Sequence, residues 1–280
     1  MSYFLTPSEI QSLCQKYGLR PSKDYGQNYL VNPLPLGEMV EAGEVSRDDV
    51  IIEVGPGFGV LTFSLVETAK EVVAFEIEKK LEPYWQKKVK ELELNNLEII
   101  WGNFLHSSKE HLQDIGKYKV IANIPYQITS PLIRHFLEEL DSPPEILVLM
   151  VQKEVGERIC AKPGDMSLLS LAVQFYAEAE IVSSVPRTFF WPEPKVDSVI
   201  LRLKSKTKAN SSDASANKKF FHIAKIGFSQ KRKKLFNNLL PLVVKDKDKL
   251  QNIFLKTNLD PNVRAEDLNL EEWTRLASHL

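Results

Sequence analysis

Short apolar runs separated by amphipathic stretches dominate the first half of this chain. Val50-Ile51-Ile52-Glu53-Val54, Glu71 to Glu76, Leu97 to Trp101, Lys117 to Ala122 and Ile146 to Val151 read as buried strands. Between them the apolar spacing turns helical, from Val60 to about Ala69, over roughly 79–92, and from Ser130 to Glu139. Strands alternating with helices predict a parallel sheet covered on both faces. Upstream, Thr6-Pro7-Ser8-Glu9 has the form of a capping box with proline at the first helical position, opening a helix to about Tyr17. Leu19 to Leu36 is rich in proline and polar residues and reads as loop. Downstream, Leu168 to Tyr176 continues as helix, and Glu178 to Val185 and Ser198 to Leu203 read as further strands at an antiparallel edge. Lys204 to Asn217 lacks large apolar residues, whereas Lys218 to Leu280 reads as all helix, with Leu235, Leu239 and Leu240 among its apolar positions. The expected organisation is an α/β domain over 1–205, a linker over 206–217 and a small helical domain over 218–280.

Composition narrows the class. A chain of 280 residues with 43% hydrophobic and 26% charged residues is a globular protein of one large or two ordinary domains. No apolar stretch approaches the roughly 18 residues of a membrane span, and Met1 to Glu9 lacks the basic-then-apolar pattern of a secretory signal. Cys14 and Cys160 stand far apart without nearby histidines, so neither a disulfide framework nor a metal site is expected, and the cytoplasm is the expected compartment. The five histidines are scattered, which points to surface positions rather than catalysis. The net charge of −1 hides an asymmetry. Residues 183–280 hold 19 Lys and Arg against 10 Asp and Glu, a net +9, and the rest of the chain carries −10. From Lys218 to Lys234 there are seven basic residues and no acidic ones, interleaved with Phe220, Phe221 and Phe228. Such a stretch fits a polyanion, and equally an ordinary solvated face.

Two segments carry chemistry. Glu53-Val54-Gly55-Pro56-Gly57-Phe58-Gly59 follows the first long strand and precedes a helix, where glycines permit a tight turn and close backbone approach to a ligand. Glu76 ends the next strand, 21 residues after Gly55, the place of an acid that hydrogen-bonds ribose hydroxyls. A dinucleotide site favours Gly-x-Gly-x-x-Gly, and Glu53 beside a pyrophosphate would repel it. A carboxylate near a sulfonium and an amino group would not, so S-adenosylmethionine (SAM) is favoured over NAD. The second segment is Asn123-Ile124-Pro125-Tyr126, after a strand. The Asn123 amide oxygen and the Ile124 carbonyl, held extended by the following proline, can both accept from an exocyclic amine, and Tyr126 can stack on the ring that bears it. A strand ending in a proline turn is the plain alternative. Asn103, at the end of the third strand, is placed to accept from the adenine amine of a nucleotide, or simply to make a turn.

These residues resemble the ribosomal RNA adenine N6-dimethyltransferase family, and the bacterial small-subunit (16S) type most closely. Gln27-Asn28-Tyr29-Leu30 is similar to the family's N-terminal SAM-contacting motif, Glu53 to Gly59 to its glycine motif, Glu76 to its ribose acid and Asn123 to Tyr126 to its target-adenine motif. Phe190 to Ser198 is similar to its Phe-x-Pro-x-Pro-Lys-Val-Asp-Ser segment, and Phe228 to Leu235 to its basic segment. The resemblance implies a Rossmann-like SAM-dependent methyltransferase domain followed by a helical RNA-binding domain. SAM contacts fall on Asn28, Leu30, Glu53, Gly55, Gly57, Gly59, Glu76, Asn103 and Asn123. The target base falls on Asn123, Ile124, Pro125 and Tyr126, with Phe190 as a second aromatic face and core packing as its alternative role. Lys231, Arg232, Lys233 and Lys234 fall to RNA. The implied partner is 16S rRNA within a small ribosomal subunit precursor, met by a monomer with no metal. One departure stands out: the family usually carries Asp where this chain has Asn103. A large-subunit rRNA adenine methyltransferase of the macrolide-resistance type shares the N-terminal half, but its C-terminal domain differs from the Phe-Ser-Gln-Lys-Arg-Lys segment. A non-enzymatic ribosome-assembly factor is the alternative of another class, and the complete SAM motif argues against it.

Overall fold

The computed structural model describes residues 4–20, 28–206 and 214–280. They form two compact units, Met1–Gly156 with Glu180–Ser205, and Glu157–Ala179 with Lys206–Leu280. The strands are β1 (Tyr29–Leu30), β2 (Val50–Val54), β3 (Glu71–Glu76), β4 (Leu97–Trp101), β5 (Lys119–Asn123), β6 (Ile146–Gln152), β7 (Ala177–Val185), β8 (Phe190–Trp191) and β9 (Ser198–Ser205). The helices are α1 (Pro7–Lys16), α2 (Leu34–Ala42), α3 (Val60–Thr68), α4 (Glu82–Glu91), α5 (Phe104–Leu112), α6 (Thr129–Arg134), α7 (Lys153–Ile159), α8 (Leu168–Tyr176), α9 (Ala214–Gly227), α10 (Leu235–Leu239), α11 (Lys247–Lys256) and α12 (Leu270–His279).

The main sheet runs β4-β3-β2-β5-β6-β9-β7. β4, β3, β2, β5 and β6 pair in parallel, and β9 lies antiparallel to β6 with Ser198 opposite Gln152. Consecutive residues of the central strands are buried, among them Ile51 and Ile52 of β2 and Val120, Ile121 and Ala122 of β5. Side chains alternate between faces along a strand, so burial of successive positions means that both faces are covered. The chain steps outward from β2 to β3 and β4, then returns to lay β5 on the other side of β2. That reversal opens a crevice at the carboxyl ends of β2 and β5, the place where open α/β sheets bind ligands.

Several elements depart from the sequence expectation. Leu19 to Leu36 is not all loop: β1 pairs with β8, Tyr29 opposite Trp191 and Leu30 opposite Phe190, and α2 starts at Leu34. Pro33 and Pro35 read as breakers, yet proline suits the first turn of a helix, where its missing N–H has no partner in any case. Residues 21–27, including Gln27 of the N-terminal motif, lie outside the described residues. α5 buries Phe104, Ser108 and Leu112 on one stripe behind a polar sequence.

The second unit packs α8 to α12 around Trp273, Phe254, Leu235 and Leu239. The division therefore differs from the expected 1–205 and 218–280. Residues 157–179 join the C-terminal helices because the apolar side of α8 finds its partners there: Phe175 meets Phe220 at 4.7 Å and Phe221 at 5.1 Å between ring centres. Within the expected linker 206–217, Ala214 already opens α9, and residues 207–213 lie outside the described residues. No helix is long and apolar enough to cross a membrane among the described residues.

Candidate active site

The loop after β2 takes its shape from its glycines. Gly55, Gly57 and Gly59 have φ of 75°, 55° and 84°, left-handed values that other residues adopt at a cost. A Cβ on Gly59 would lie 2.6 Å from the Phe63 ring and 2.7 Å from Trp85, whereas one on Gly55 would meet nothing within 4 Å. Gly59 thus serves packing, and Gly55 faces open space. Two aromatic donors hold the loop from α4, Trp85 Nε1 to the Gly57 carbonyl at 3.0 Å and Tyr84 Oη to the Phe58 carbonyl at 2.8 Å. Glu76, at the end of β3, accepts from Gly57 N at 3.0 Å through Oε2 and from Glu78 N at 2.8 Å through Oε1.

This loop walls a cavity of about 480 Å³. Of the expected cofactor residues, Asn28, Leu30, Glu53, Gly55, Gly57 and Glu76 line it from the N-terminal and β2–β3 side, and Asn103 and Asn123 from the ends of β4 and β5. Ile124, Pro125 and Tyr126 complete the wall. Gly59 lies just behind it, and Phe190 is not among the lining residues. Phe190 is 3% exposed and packs in the core beside Leu30, because its strand β8 pairs with β1. Its role as a second face for the base is not what this geometry provides; the half-buried neighbour is Phe189. The sequence reading missed Ile77, an apolar wall residue left 65% exposed directly after Glu76. An apolar residue just past the acid that ends β3 was the signal available.

Two acids share this wall with few counter-charges. Glu53 is 2% exposed, and burial pushes its carboxyl up to about 8, the nearby Thr62 hydroxyl opposing the rise and the charge of Glu76 adding to it. Its Oε2 is buried without a hydrogen-bond partner among the described residues. Glu76 is also raised, by burial first, while the N–H groups of Glu78 and Gly57 oppose the shift. Buried carboxyls with unsatisfied oxygen are costly, so this wall is built for something that brings positive charge and donors. Asn103 caps α5, its Oδ1 accepting from Leu105 N at 3.1 Å. Only an oxygen can meet that N–H, so the amide orientation is fixed, with Nδ2 as a donor on its other arm. That oxygen keeps a second lone pair, so the cap leaves it able to accept once more.

At the end of β5, Asn123 is half-buried and the Ile124 side chain is 3% exposed. Pro125 sits at φ −58° and ψ 131°, which leads the chain into the short turn Tyr126–Ile128. The Tyr126 hydroxyl lies 2.6 Å from Ser198 Oγ. The glycine loop, Glu76 and the Asn-Ile-Pro-Tyr segment therefore open on one cavity.

A family model described as ribosomal RNA adenine dimethylase matches residues 18–280. The chain belongs to that family. It is an enzyme, an rRNA adenine dimethyltransferase. It is 37% identical to the ribosomal RNA small subunit methyltransferase A of Bacillus cytotoxicus over 288 residues, covering 100% of this chain and 98% of that protein. The protein of the same name from Bacillus mycoides matches at 37% over the same shares. Among solved structures, a dimethyladenosine transferase from Plasmodium falciparum superimposes with a TM-score of 0.75 at 26% identity, over 89% of this chain and 95% of that one. The 23S rRNA methyltransferase ErmE shares the fold, with a TM-score of 0.70 at 24% identity over 90% and 99% of the two chains.

In the second unit of this dimethylase, Lys231, Arg232, Lys233 and Lys234 are all exposed between α9 and α10. Lys231 Nζ stands 3.7 Å from Glu266, and Lys234 Nζ donates to Asn262 Oδ1 at 2.6 Å. Arg232 and Lys233, between them, make no ion pair with another described residue. The histidine expectation needs one correction. His106, His111, His222 and His279 are exposed, but His135 is buried, with Nε2 2.6 Å from Ser108 Oγ and Nδ1 2.8 Å from Glu139. This order of groups matches that of a hydrolase triad, but Ser108 has no exposed surface and does not line the cavity, so no substrate can reach it. It ties α5 to the turn that extends α6.

Proposed function

We propose that this dimethylase uses SAM to place two methyl groups on N6 of adenines in small-subunit (16S) rRNA, acting as a monomer on a precursor particle in the cytoplasm. The observation that carries the reading is the shared cavity: a glycine loop and two buried acids on one side, Asn123 to Tyr126 on the other. The residues suit SAM. Glu53 offers an unpartnered buried carboxyl oxygen to a cationic ligand, Glu76 offers a carboxyl to ribose hydroxyls, and Gly55 leaves room for close backbone approach. When bound, SAM supplies a methyl group activated by its sulfonium.

The chain's own residues prepare the acceptor. The lone pair of an adenine amine is delocalised into the ring, which makes the nitrogen a poor nucleophile. The Asn123 amide oxygen and the Ile124 carbonyl accept from its two hydrogens, localising the lone pair and aiming it. Each transfer releases one N–H proton to solvent, and the monomethylated amine still donates its remaining hydrogen to one of these acceptors, so the site serves a second transfer. Orientation and fixed dipoles carry the effect, with no strong base. The base must leave its stack to reach the pocket, where Tyr126 offers an aromatic face.

Asn123→Ala should lower methyl transfer to unmethylated small subunits by roughly 10²–10³-fold, the loss typical of removing one preorganised stabilising group, while circular dichroism stays unchanged. Activity near the wild-type level would overturn the reading. Transfer of labelled methyl groups to small subunits, and not to large subunits or naked rRNA, is the expected pattern. Labelling of none of these would favour the assembly-factor reading.

A further inference from the structure

Ser198 is fully buried at the start of β9, yet it is the hydrogen-bond partner of the half-buried Tyr126 in the cavity wall. Three constraints hold it still. Ser198 pairs with Gln152 across the β6–β9 ladder. Asp197, just before it, accepts from Lys153 N at 3.0 Å through its carbonyl. The Asp197 side chain accepts from Arg187 N at 2.9 Å, closing the loop that bears Phe190. That loop is closed again by the ion pair of Arg187 Nε with Glu193 at 2.9 Å. Ser198 is therefore an anchor set by backbone on two sides, and Tyr126 carries its phenol at the end of two side-chain torsions. Oη lies on the long axis of the ring, so a tie from Oη to a fixed point stops that axis from swinging, and because a phenol hydrogen-bonds best in the plane of its ring the same tie favours one ring plane.

We propose that Ser198 is a positioning residue for methyl transfer, holding the Tyr126 ring in the plane on which the target base stacks. The proposal rests on the reading of Tyr126 as the base-stacking face. Burial raises the Tyr126 phenol and keeps it neutral, so the tie is a bond between two hydroxyls rather than to a phenolate. Loss of either hydroxyl leaves the ring and the cavity in place but frees the ring plane. The cost then falls on orientation of the base, not on cofactor affinity.

The test uses the full-length enzyme, unmethylated small ribosomal subunits and labelled SAM. Ser198→Ala and Tyr126→Phe should each lower kcat by roughly tenfold to a hundredfold, the scale of a small misplacement of a reacting group. The SAM dissociation constant should stay at the wild-type value, and the melting temperature should fall by no more than a few degrees, the cost of one buried hydroxyl left unpaired. The double variant should be no slower than either single one, because both remove the same bond. Ser198→Thr, which keeps the hydroxyl, should restore most of the rate. Wild-type kcat in Ser198→Ala or in Tyr126→Phe would overturn the proposal. So would additive losses in the double variant, or a fall in SAM affinity and melting temperature that Ser198→Thr does not rescue. An inactive Asn123→Ala beside a fully active Ser198→Ala would remove the positioning role alone. A fully active Asn123→Ala would remove the reading beneath it.

Discussion

Glu53 is the residue whose chemistry is most unusual for its place. A carboxyl raised to about 8 is protonated at pH 7 in the free enzyme. A cationic ligand favours the ionised form, so SAM binding should release a proton, and affinity should rise with pH from the ordinary carboxyl value of 4.5 toward 8. Calorimetric titration in buffers of different ionisation heat measures that release, and Glu53→Gln should abolish it. Stability runs the other way. The folded carboxyl binds its proton more tightly than the unfolded one, so stability of the free enzyme is highest below the unfolded pKa and falls as pH rises through about 8. Thermal unfolding at pH 6 and pH 8, with and without SAM, should show the larger fall without it. Asn103 is the second informative residue. Asp at this position keeps the cap and adds an acceptor, so Asn103→Asp should leave the melting temperature unchanged while altering the SAM dissociation constant. Asn103→Ala should cost about 1 kcal/mol because the cap disappears.

At the scale of elements, the glycine loop separates two duties that its sequence does not distinguish. Gly59→Ala would force a methyl group into Phe63 and Trp85 at a left-handed φ, and should cost roughly 1–3 kcal/mol in denaturant unfolding. Gly55→Ala meets no neighbour, so its stability loss should be confined to backbone strain of about 1–2 kcal/mol, while its methyl group projects into the space left for the ligand. The expected result is a larger loss of SAM affinity in Gly55→Ala than in Gly59→Ala at temperatures where both are folded. The strands β2 to β6 were legible because strands covered on both faces read as unbroken apolar runs. β1 was not, because a two-residue strand carries no periodicity and exists only by pairing with β8. α5 was hidden behind Ser107, Ser108, Lys109 and Glu110, since burial of Ser108 depends on the hydroxyl finding His135.

Across the whole molecule, residues 183–280 carry a net +9, and four consecutive basic residues stand exposed in the loop between α9 and α10. Lys231 and Lys234 are tethered to acceptors of their own unit, and Arg232 and Lys233 are not paired with described residues. Neutralising all four should weaken RNA binding while leaving the SAM dissociation constant unchanged. The slope of log affinity against log salt should flatten by about 0.7–0.9 for each phosphate that these side chains no longer neutralise. Filter binding over a salt series checks this, and equal loss of both affinities would point to misfolding.

The five parallel strands β2 to β6, most of the helices between them and the turn that needs its glycines followed from the sequence alone. Backbone sterics and apolar periodicity are local, and each is written within a few neighbouring residues. Tertiary structure decided what depends on residues distant in the chain. It placed α8 with the C-terminal helices, through Phe175 and Phe220. It turned Phe190 into the core beside Leu30, buried His135 against Ser108 and gave Asn103 a helix to cap. It also set Ser198 against Tyr126 across 72 residues of sequence. A hydroxyl or an amide reads alike in a sequence whether it faces water, a helix end or a ligand; only its packed neighbours fix which.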